Sequence, residues 1–331
     1  METKEIIGID VSKDTFDAVF ERTSAHSAFS NCLKGFGLFQ KWIARQAGKD
    51  LSKVLVVMEH TGIYSLPLEK YLYGKQVAFS KVAGIKIKKS MGLVRGKSDA
   101  ADAGMIARYG AEKIKALQVH QPLQDTVLRL KNLIALRDKM VREKAGWTAR
   151  LNEQRQFLEL AESDVLVRVQ KAAIKSLEAG IDKLEAEIGA LIEGDAAMSR
   201  NYGLLLSIKG IGPVIASYML AATCNFTSFA TWRQFACYSG IAPFPYESGK
   251  SIKGRTKVSN YANKKIKSLL HLAAMVSIKY NPDMREYYTS RTGKGKNKMG
   301  TLNAIRCKIV ARMFAVIKRQ EPYKVEWLDA A

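Results

Sequence analysis

The first third of the chain alternates short apolar runs with amphipathic stretches. Residues 6–12 (Ile-Ile-Gly-Ile-Asp-Val-Ser) read as a buried strand whose end carries an acid, Asp10. In residues 15–21, Phe16, Ala18 and Phe20 fall on one face and Asp17, Val19 and Glu21 on the other, the period of two that marks a strand. Residues 27–32 fit a third strand. Phe36, Phe39, Trp42 and Ile43 share one side of a helix over 35–46. The valine-rich run 51–58 predicts a strand closing at Glu59. A short helix follows over 66–73, another strand over 76–82, a basic segment over 86–95 and a helix over 98–109, with Ser98 as its N-cap. Strands interleaved with helices predict an α/β domain built on a mixed sheet.

The pattern then turns helical. Within 127–160, Val127, Leu130, Ile134 and Val141 keep three-four spacing. Ile174, Leu177, Ile181, Leu184, Ile188 and Leu191 alternate steps of three and four, a heptad seam. An antiparallel coiled-coil hairpin turning near 162–164 satisfies that seam, and so does a partner chain. The last third has a helical pattern over 202–208, the turn Lys209-Gly-Ile-Gly-Pro213, a helix over 214–222 and further helical segments to 319. Two Gly- and Lys-rich stretches, 243–259 and 292–300, interrupt it. The predicted organisation is an α/β domain over 1–122, a coiled-coil spacer over 123–200, a mainly α domain over 201–322 and a tail over 323–331.

Composition narrows the class. With 331 residues and 47% apolar residues, the chain can fill real cores, which excludes wholesale disorder. No apolar run approaches the roughly 20 residues of a membrane span. The opening residues read as a charged lead into a strand rather than a secretory signal, so a cytoplasmic protein is expected. Cys32, Cys224, Cys237 and Cys307 are far apart, and there is no HExxH pattern, which argues against a disulfide framework or a zinc site. The formal net charge is +22, and it is unevenly spread. Residues 1–122 hold 19 basic and 12 acidic residues, 123–200 hold 13 of each, and 201–331 hold 21 and 6. A polyanionic partner is expected, gripped mainly by the last third.

Four constellations carry candidate chemistry. Asp10 and Glu59 each sit at a strand end, and Asp99 and Asp102 lie three apart on one helix face. α/β folds place their sites at the carboxyl ends of strands, so these four acids are expected to converge there. A cluster of carboxylates suits Mg²⁺ or Mn²⁺, and such ions serve phosphodiester chemistry. The turn over 208–213 resembles a helix-hairpin-helix element, in which Lys209, Gly210 and Gly212 present backbone N–H groups to a phosphate. The stretch 246–255 sets Ser248 and Ser251 among Lys250, Lys253 and Arg255. On residue types alone it is a basic phosphate-contacting loop, because no histidine base stands near it in sequence. Arg291, Lys294, Lys296 and Lys298 have the spacing of a backbone-contacting loop, and Lys264, Lys265 and Lys267 open a helix.

In combination these segments resemble the insertion sequence 110 family of transposases and the related pilin-gene inverting recombinases. Gly8-Ile9-Asp10-Val11-Ser12-Lys13, Glu59-His60-Thr61-Gly62-Ile63-Tyr64 and Lys97-Ser98-Asp99-Ala100-Ala101-Asp102-Ala103 are similar to its three N-terminal motifs. Residues 208–213, 235–243 and 246–249 are similar to its C-terminal serine domain. The resemblance implies a RuvC-like (ribonuclease-H-like) domain with a catalytic and metal-binding set of Asp10, Glu59, Asp99 and Asp102. It implies a coiled-coil spacer and a catalytic serine, Ser248, with Ser251 the fallback. It also implies DNA cutting and rejoining through a serine–phosphate link, donor and target duplex DNA, a structured non-coding guide RNA and a homo-multimer, dimer or tetramer. Such a protein works in a prokaryotic cytoplasm, at the nucleoid when bound to DNA. One departure stands out: after the strand over 76–82 the family often has Asn-Pro, where this chain has Lys81-Val82-Ala83-Gly84. Two other readings remain open from the residues: a metal-dependent junction endonuclease that uses water, and a non-enzymatic nucleic-acid scaffold.

Overall fold

The computed structural model describes residues 4–48, 50–90, 98–248 and 252–324; of Ser248, Ile252, Lys253 and Arg255 it describes the backbone. The chain forms two compact units, Met1–Pro122 and Leu123–Ala331. In the first, β1 (Glu5–Val11), β2 (Thr15–Phe20), β3 (His26–Ser30), β4 (Val54–Glu59) and β5 (Ala78–Val82) make one sheet in the order β3-β2-β1-β4-β5. The β1–β2 and β2–β3 pairs are antiparallel, and β1–β4 and β4–β5 are parallel, so the sheet is mixed, as the pattern predicts. Residues 54–58 of β4 are all buried, because an inner parallel strand is covered on both faces. At the edge, β3 alternates exposed and half-buried positions.

Each face of the sheet has its own cover. Helices α1 (Leu33–Ala47) and α2 (Leu66–Gly74) close one face, packing Phe36, Phe39, Leu68 and Leu72 against Ile7, Ile9, Phe16 and Phe79. Helix α4 (Asp99–Glu112) closes the other through Ile106 and Tyr109, against Ile6, Leu55 and Val57. The short α3 (Gly84–Ser90) packs beside it. Gly8 decides how near α4 comes. A Cβ at Gly8 would lie 2.2 Å from the backbone N of Ala107 and 2.3 Å from the carbonyl O of Ala103, so only glycine admits this approach of helix to strand. Ser98 caps α4 as predicted, its Oγ accepting from the Ala101 N–H at 3.2 Å.

In the second unit, α5 (Asp125–Leu158) and α6 (Val165–Glu193) form a long hairpin. The seam from Ile174 to Leu191 runs along α5 of the same chain, with Ile181 and Ile188 buried and the others half-buried. Cross-hairpin ion pairs flank it, Arg137–Glu185 at 2.6 Å and Lys144–Glu178 at 3.0 Å. Helix α6 starts nine residues before the heptad run, because the Asp164 side chain caps it by accepting from the Leu166 N–H at 2.8 Å. At its root the hairpin joins a larger core. Val127, Leu130, Ile134, Ile188 and Ile192 pack with residues of α7 (Ala196–Leu206), α8 (Pro213–Thr223), α9 (Trp232–Tyr238), α10 (Lys264–Tyr280), α11 (Pro282–Gly293) and α12 (Lys298–Arg319).

Two stretches depart from their sequence reading. The segment 243–259 is a β-hairpin, β6 (Pro243–Ser248) paired antiparallel with β7 (Ile252–Val258). Its alternation of Ile252, Gly254, Thr256 and Val258 with Lys253, Arg255 and Lys257 has a strand's period, hidden in sequence by glycine and charge. The segment 292–300 is chiefly the end of α11 and the start of α12, joined by a tight turn in which Gly295 has φ +74°. The side chain of Asn297 caps α12, accepting from the Gly300 N–H at 2.9 Å.

Candidate active site and nucleic-acid surface

Residues two apart on a strand share a face, so Asp10 lies on the side of β1 that carries Ile6 and Gly8, under α4. Ala103 and Ala107 stand over Gly8, and the preceding turn of α4, with Asp99 and Asp102, therefore reaches toward Asp10. Glu59 ends the neighbouring strand β4, one residue past the Ile9–Met58 pair, on the same side as Leu55 and Val57. The acids picked out in the sequence thus gather around one strand end. Burial raises the Asp10 carboxyl from 3.8 to about 6, and the charges of Asp102, Asp99, Glu59 and Asp17 push the same way.

The donor types fit a hard divalent cation, being all carboxylate oxygens. As they stand, no three His, Cys, Asp or Glu side chains among the described residues are close enough together to hold one ion. Gripping an ion requires these mutually repelling carboxylates to draw inward. The Glu59 carboxylate is lodged against Gly84, where a Cβ would lie 1.9 Å from Oε1. Of the departing stretch Lys81-Val82-Ala83-Gly84, it is Gly84 that stands against Glu59, while Lys81 Nζ donates to Glu69 Oε1 at 2.8 Å.

Several residues near these acids escaped the sequence reading. Asp17 pairs directly with Asp10 across β1 and β2, and its Oδ1 is 2.6 Å from His26 Nε2. Asn31 donates from Nδ2 to the carbonyls of Ser12 and Tyr64, each at 3.0 Å, tying the exit of β1 to the loop after β4. Asp17 was placed on the correct strand face from its alternation. Its position opposite Asp10 needed the hairpin register, which the connecting residues 12–14 do not announce.

In the second unit, Ser248 ends β6, with its backbone opposite Ile252, while Glu247 lies opposite Lys253. Lys250 and Ser251 lie outside the described residues, as do the side chains of Ser248, Lys253 and Arg255. The turn from Ile208 to Pro213 joins α7 and α8. Gly210 has φ +100° and Gly212 occupies the N-cap of α8, with no side chain capping that end. A Cβ at Gly210 would lie 2.3 Å from Ser277 Oγ, and that hydroxyl donates to the Lys209 carbonyl at 2.8 Å. Helix α10 thus backs the turn and leaves Lys209 exposed.

The predicted basic contacts divide into two groups. Lys264 is exposed at the first turn of α10. Lys265 is already engaged, with Nζ 3.0 Å from Asp138 and 5.4 Å from the centre of the Tyr218 ring. Arg291 and Lys296 line a cleft of about 1270 Å³, together with Lys257, Lys267, Arg306 and Lys308. Lys294 caps the end of α11 and Lys298 begins α12, and neither lines the cleft. Among the described residues lining it there is no carboxylate. β7, α10, α11 and α12 all contribute to its walls, which is why no single sequence run revealed it.

Comparison with known proteins places this arrangement. Residues 202–289 match a family model described as the transposase IS116/IS110/IS902 family. Residues 7–160 match a transposase model of the IS110 type designated DEDD. The chain is 28% identical over 330 residues to a pilin gene-inverting protein of Moraxella bovis, covering 97% of this chain and 98% of the relative. It is 28% identical over 327 residues to the Moraxella lacunata protein of the same name, again covering 97% and 98%. An uncharacterized protein of insertion element IS110 from Streptomyces coelicolor is 27% identical over 155 residues, 47% of this chain and 37% of that one. The two family models together span both units and most of the chain, and the Moraxella relatives align with it nearly end to end. The protein belongs to the IS116/IS110/IS902 family of transposases.

Proposed function

We propose that this transposase cuts and rejoins DNA through Ser248, with Asp10, Glu59, Asp99 and Asp102 holding a divalent cation, Mg²⁺ or Mn²⁺. The observation that carries the acid half of the reading is the convergence on Asp10. Four other carboxylates act on it at the end of a central strand. The strand order β3-β2-β1-β4-β5, antiparallel then parallel, supports a RuvC-like fold for the first unit. A bound cation would stabilise charge developing on the phosphate and the leaving oxygen. The protein's own part is positional. Gly8 lets α4 bring Asp99 and Asp102 over β1, Gly84 seats Glu59, and Asn31 fixes the loops at the strand ends.

At the serine, Oγ attacks the phosphorus, an Oγ–P bond forms, and the bond from phosphorus to a sugar oxygen breaks. The serine proton passes to a base and the departing sugar oxygen takes one up. Attack of a second sugar hydroxyl on the serine phosphodiester then rejoins the strand and frees Ser248, so no outside energy source is needed. Cation-rich surfaces around Lys209, Lys253, Arg255 and the α11–α12 turn hold donor and target DNA. A structured guide RNA and assembly into a homo-multimer complete the reading. The Moraxella relatives, named for inverting a pilin gene, support the cut-and-rejoin chemistry.

The test is trapping of covalent protein–DNA adducts. Ser248→Ala abolishes them and leaves nucleic-acid binding intact; adducts that persist in Ser248→Ala and vanish in Ser251→Ala move the nucleophile to Ser251. One observation favours a second reading, hydrolysis by water. The acid cluster around Asp10 lies on the first unit and Ser248 on the second, and a cation held by the acids would suit water as nucleophile as well as serine. Cleavage without any adduct, unaffected by Ser248→Ala, would establish that reading instead.

A further inference from the structure

Arg306 on α12 is only 6% exposed, and it lines the basic cleft. A buried guanidinium ordinarily faces a carboxylate, because an unpaired charge away from water is costly. Here the partners are neutral. One Nη donates to His271 Nδ1 at 2.6 Å and the other to Asn303 Oδ1 at 3.4 Å. Nε is buried with no hydrogen-bond partner among the described residues. Arg306 thus keeps three of its five N–H donors, and a positive charge that no carboxylate among the described lining residues offsets. Arginine presents such donors as a planar fork matched to phosphate oxygens.

The cleft around it is built for more than one small anion. Its volume of about 1270 Å³ exceeds the roughly 300–1,000 Å³ of small-molecule sites. Lys257, Lys267, Arg291, Lys296 and Lys308 carry the positive charge along its walls. Tyr287 sits among them, with Lys308 Nζ 4.5 Å and the Arg291 guanidinium 5.5 Å from its ring centre. One wall is the β6–β7 hairpin, represented by Pro243, Thr256, Lys257 and Val258, and Ser248 ends the first strand of that hairpin. A cation row above a buried, unpaired arginine suits a chain of phosphodiesters.

We propose that this cleft holds a DNA strand and that Arg306, at its floor, receives one backbone phosphate. The choice of DNA rests on the reading of Ser248 as the residue that attacks DNA; the phosphate subsite itself does not. Arg306 is a binding residue that guides the strand along the hairpin.

The experiment measures binding of a labelled DNA duplex to the full chain by fluorescence anisotropy across salt concentrations, beside an RNA of matching sequence, with calorimetric melting of each variant. Arg306→Met should weaken DNA binding about 10- to 100-fold, the size of one charged hydrogen-bonded contact. It should also lower the slope of log affinity against log salt by about one contact. The free variant should melt no lower than the wild type, since it sheds an unpaired buried charge. Arg306→Lys, which keeps charge without the fork, should recover only part of the affinity and covers the case in which Arg306→Met does not fold. Unchanged DNA affinity in both variants, with a lower melting temperature, would make Arg306 a structural residue and overturn the proposal. RNA bound more tightly than DNA with the same dependence on Arg306 would overturn the assignment to DNA. Ser248→Ala should leave these affinities unaltered, so a failed serine leaves the cleft standing, and an unresponsive Arg306 leaves the serine standing.

Discussion

Gly84→Ala separates the position of Glu59 from the stability of the fold. A Cβ at residue 84 would sit 1.9 Å from Glu59 Oε1 and 2.5 Å from its carboxyl carbon. Carbon and oxygen need about 3.3 Å, so the carboxylate must retreat by about 1.4 Å. The atom in the way is the far end of a side chain with three rotatable bonds, and its withdrawal costs little energy. Residue 84 also begins α3, where alanine outranks glycine by about 0.5–1 kcal/mol. Stability should therefore hold or rise slightly. The reaction should suffer, because misplacing a reacting group by about 1 Å can cost about 100-fold. Calorimetric melting paired with single-turnover strand cleavage reads both quantities. A variant with unchanged melting and roughly 100-fold slower cleavage bears the reasoning out. Full-rate cleavage would show that Glu59 is not needed where the structure seats it, and a large fall in melting temperature would show that Gly84 serves packing.

Gly8→Ala should behave in the opposite way. Its Cβ meets backbone atoms of Ala103 and Ala107, which cannot swing aside, so it should cost about 1–3 kcal/mol as an overpacked contact, visible as a lower melting temperature along with slower cleavage. Asp10 should make stability pH-dependent when divalent ions are chelated. A folded-state carboxyl raised to about 6 binds its proton more tightly than in the unfolded chain, so stability is full below about pH 4 and falls as pH rises through 6. The loss is at most about 3 kcal/mol and less after solvent screening, since Asp10 is only partly buried. Asp10→Asn should remove that fall, melt higher than wild type at pH 8 in chelator, and lose the wild type's stabilisation by added Mg²⁺. Melting curves at pH 5 and 8, with and without Mg²⁺, check all three outcomes.

Much of the first unit was legible because its signals are local. The valine-rich run 51–58 reads as an inner strand, which the structure begins at Val54 after a 3-10 turn over Leu51–Lys53, and Phe36, Phe39 and Ile43 read as one face of a helix. The four acids stood out because each falls at an element's end. What stayed hidden depended on register and on close approach. Asp17 joins the group through a pairing across a hairpin, and Gly84 matters because of the atom opposite it, which is far away in sequence. In the second unit the 252–258 strand was masked by its own glycine and cations, which keep a strand's period without an apolar stripe. The cleft was illegible for a different reason. Lys257, Lys267, Arg291 and Arg306 come from four elements, and their convergence is a product of packing.

The two units carry opposite electrostatic costs, and each cost names what relieves it. In the first, burial, with four neighbouring carboxylates pushing the same way, raises Asp10 from 3.8 to about 6, a cost that a bound cation would relieve. In the second, Arg306 is buried beside neutral partners, and Lys264, Lys265 and Lys267 crowd the first turn of α10, the helix end at which positive charge is unfavourable. Lys265 finds Asp138, while the cleft has no carboxylate among its described lining residues. A fold selected for stability alone would have placed a carboxylate against Arg306 and spread the acids around Asp10. The proposed phosphodiester chemistry accounts for the reverse: an anion cluster suited to a cation on one unit, and cations suited to phosphates on the other. The net charge of +22 is therefore less informative than its misplacements: a binding-only protein would have no use for the clustered acids, and a buried arginine in a basic cleft serves phosphate binding whichever nucleophile acts.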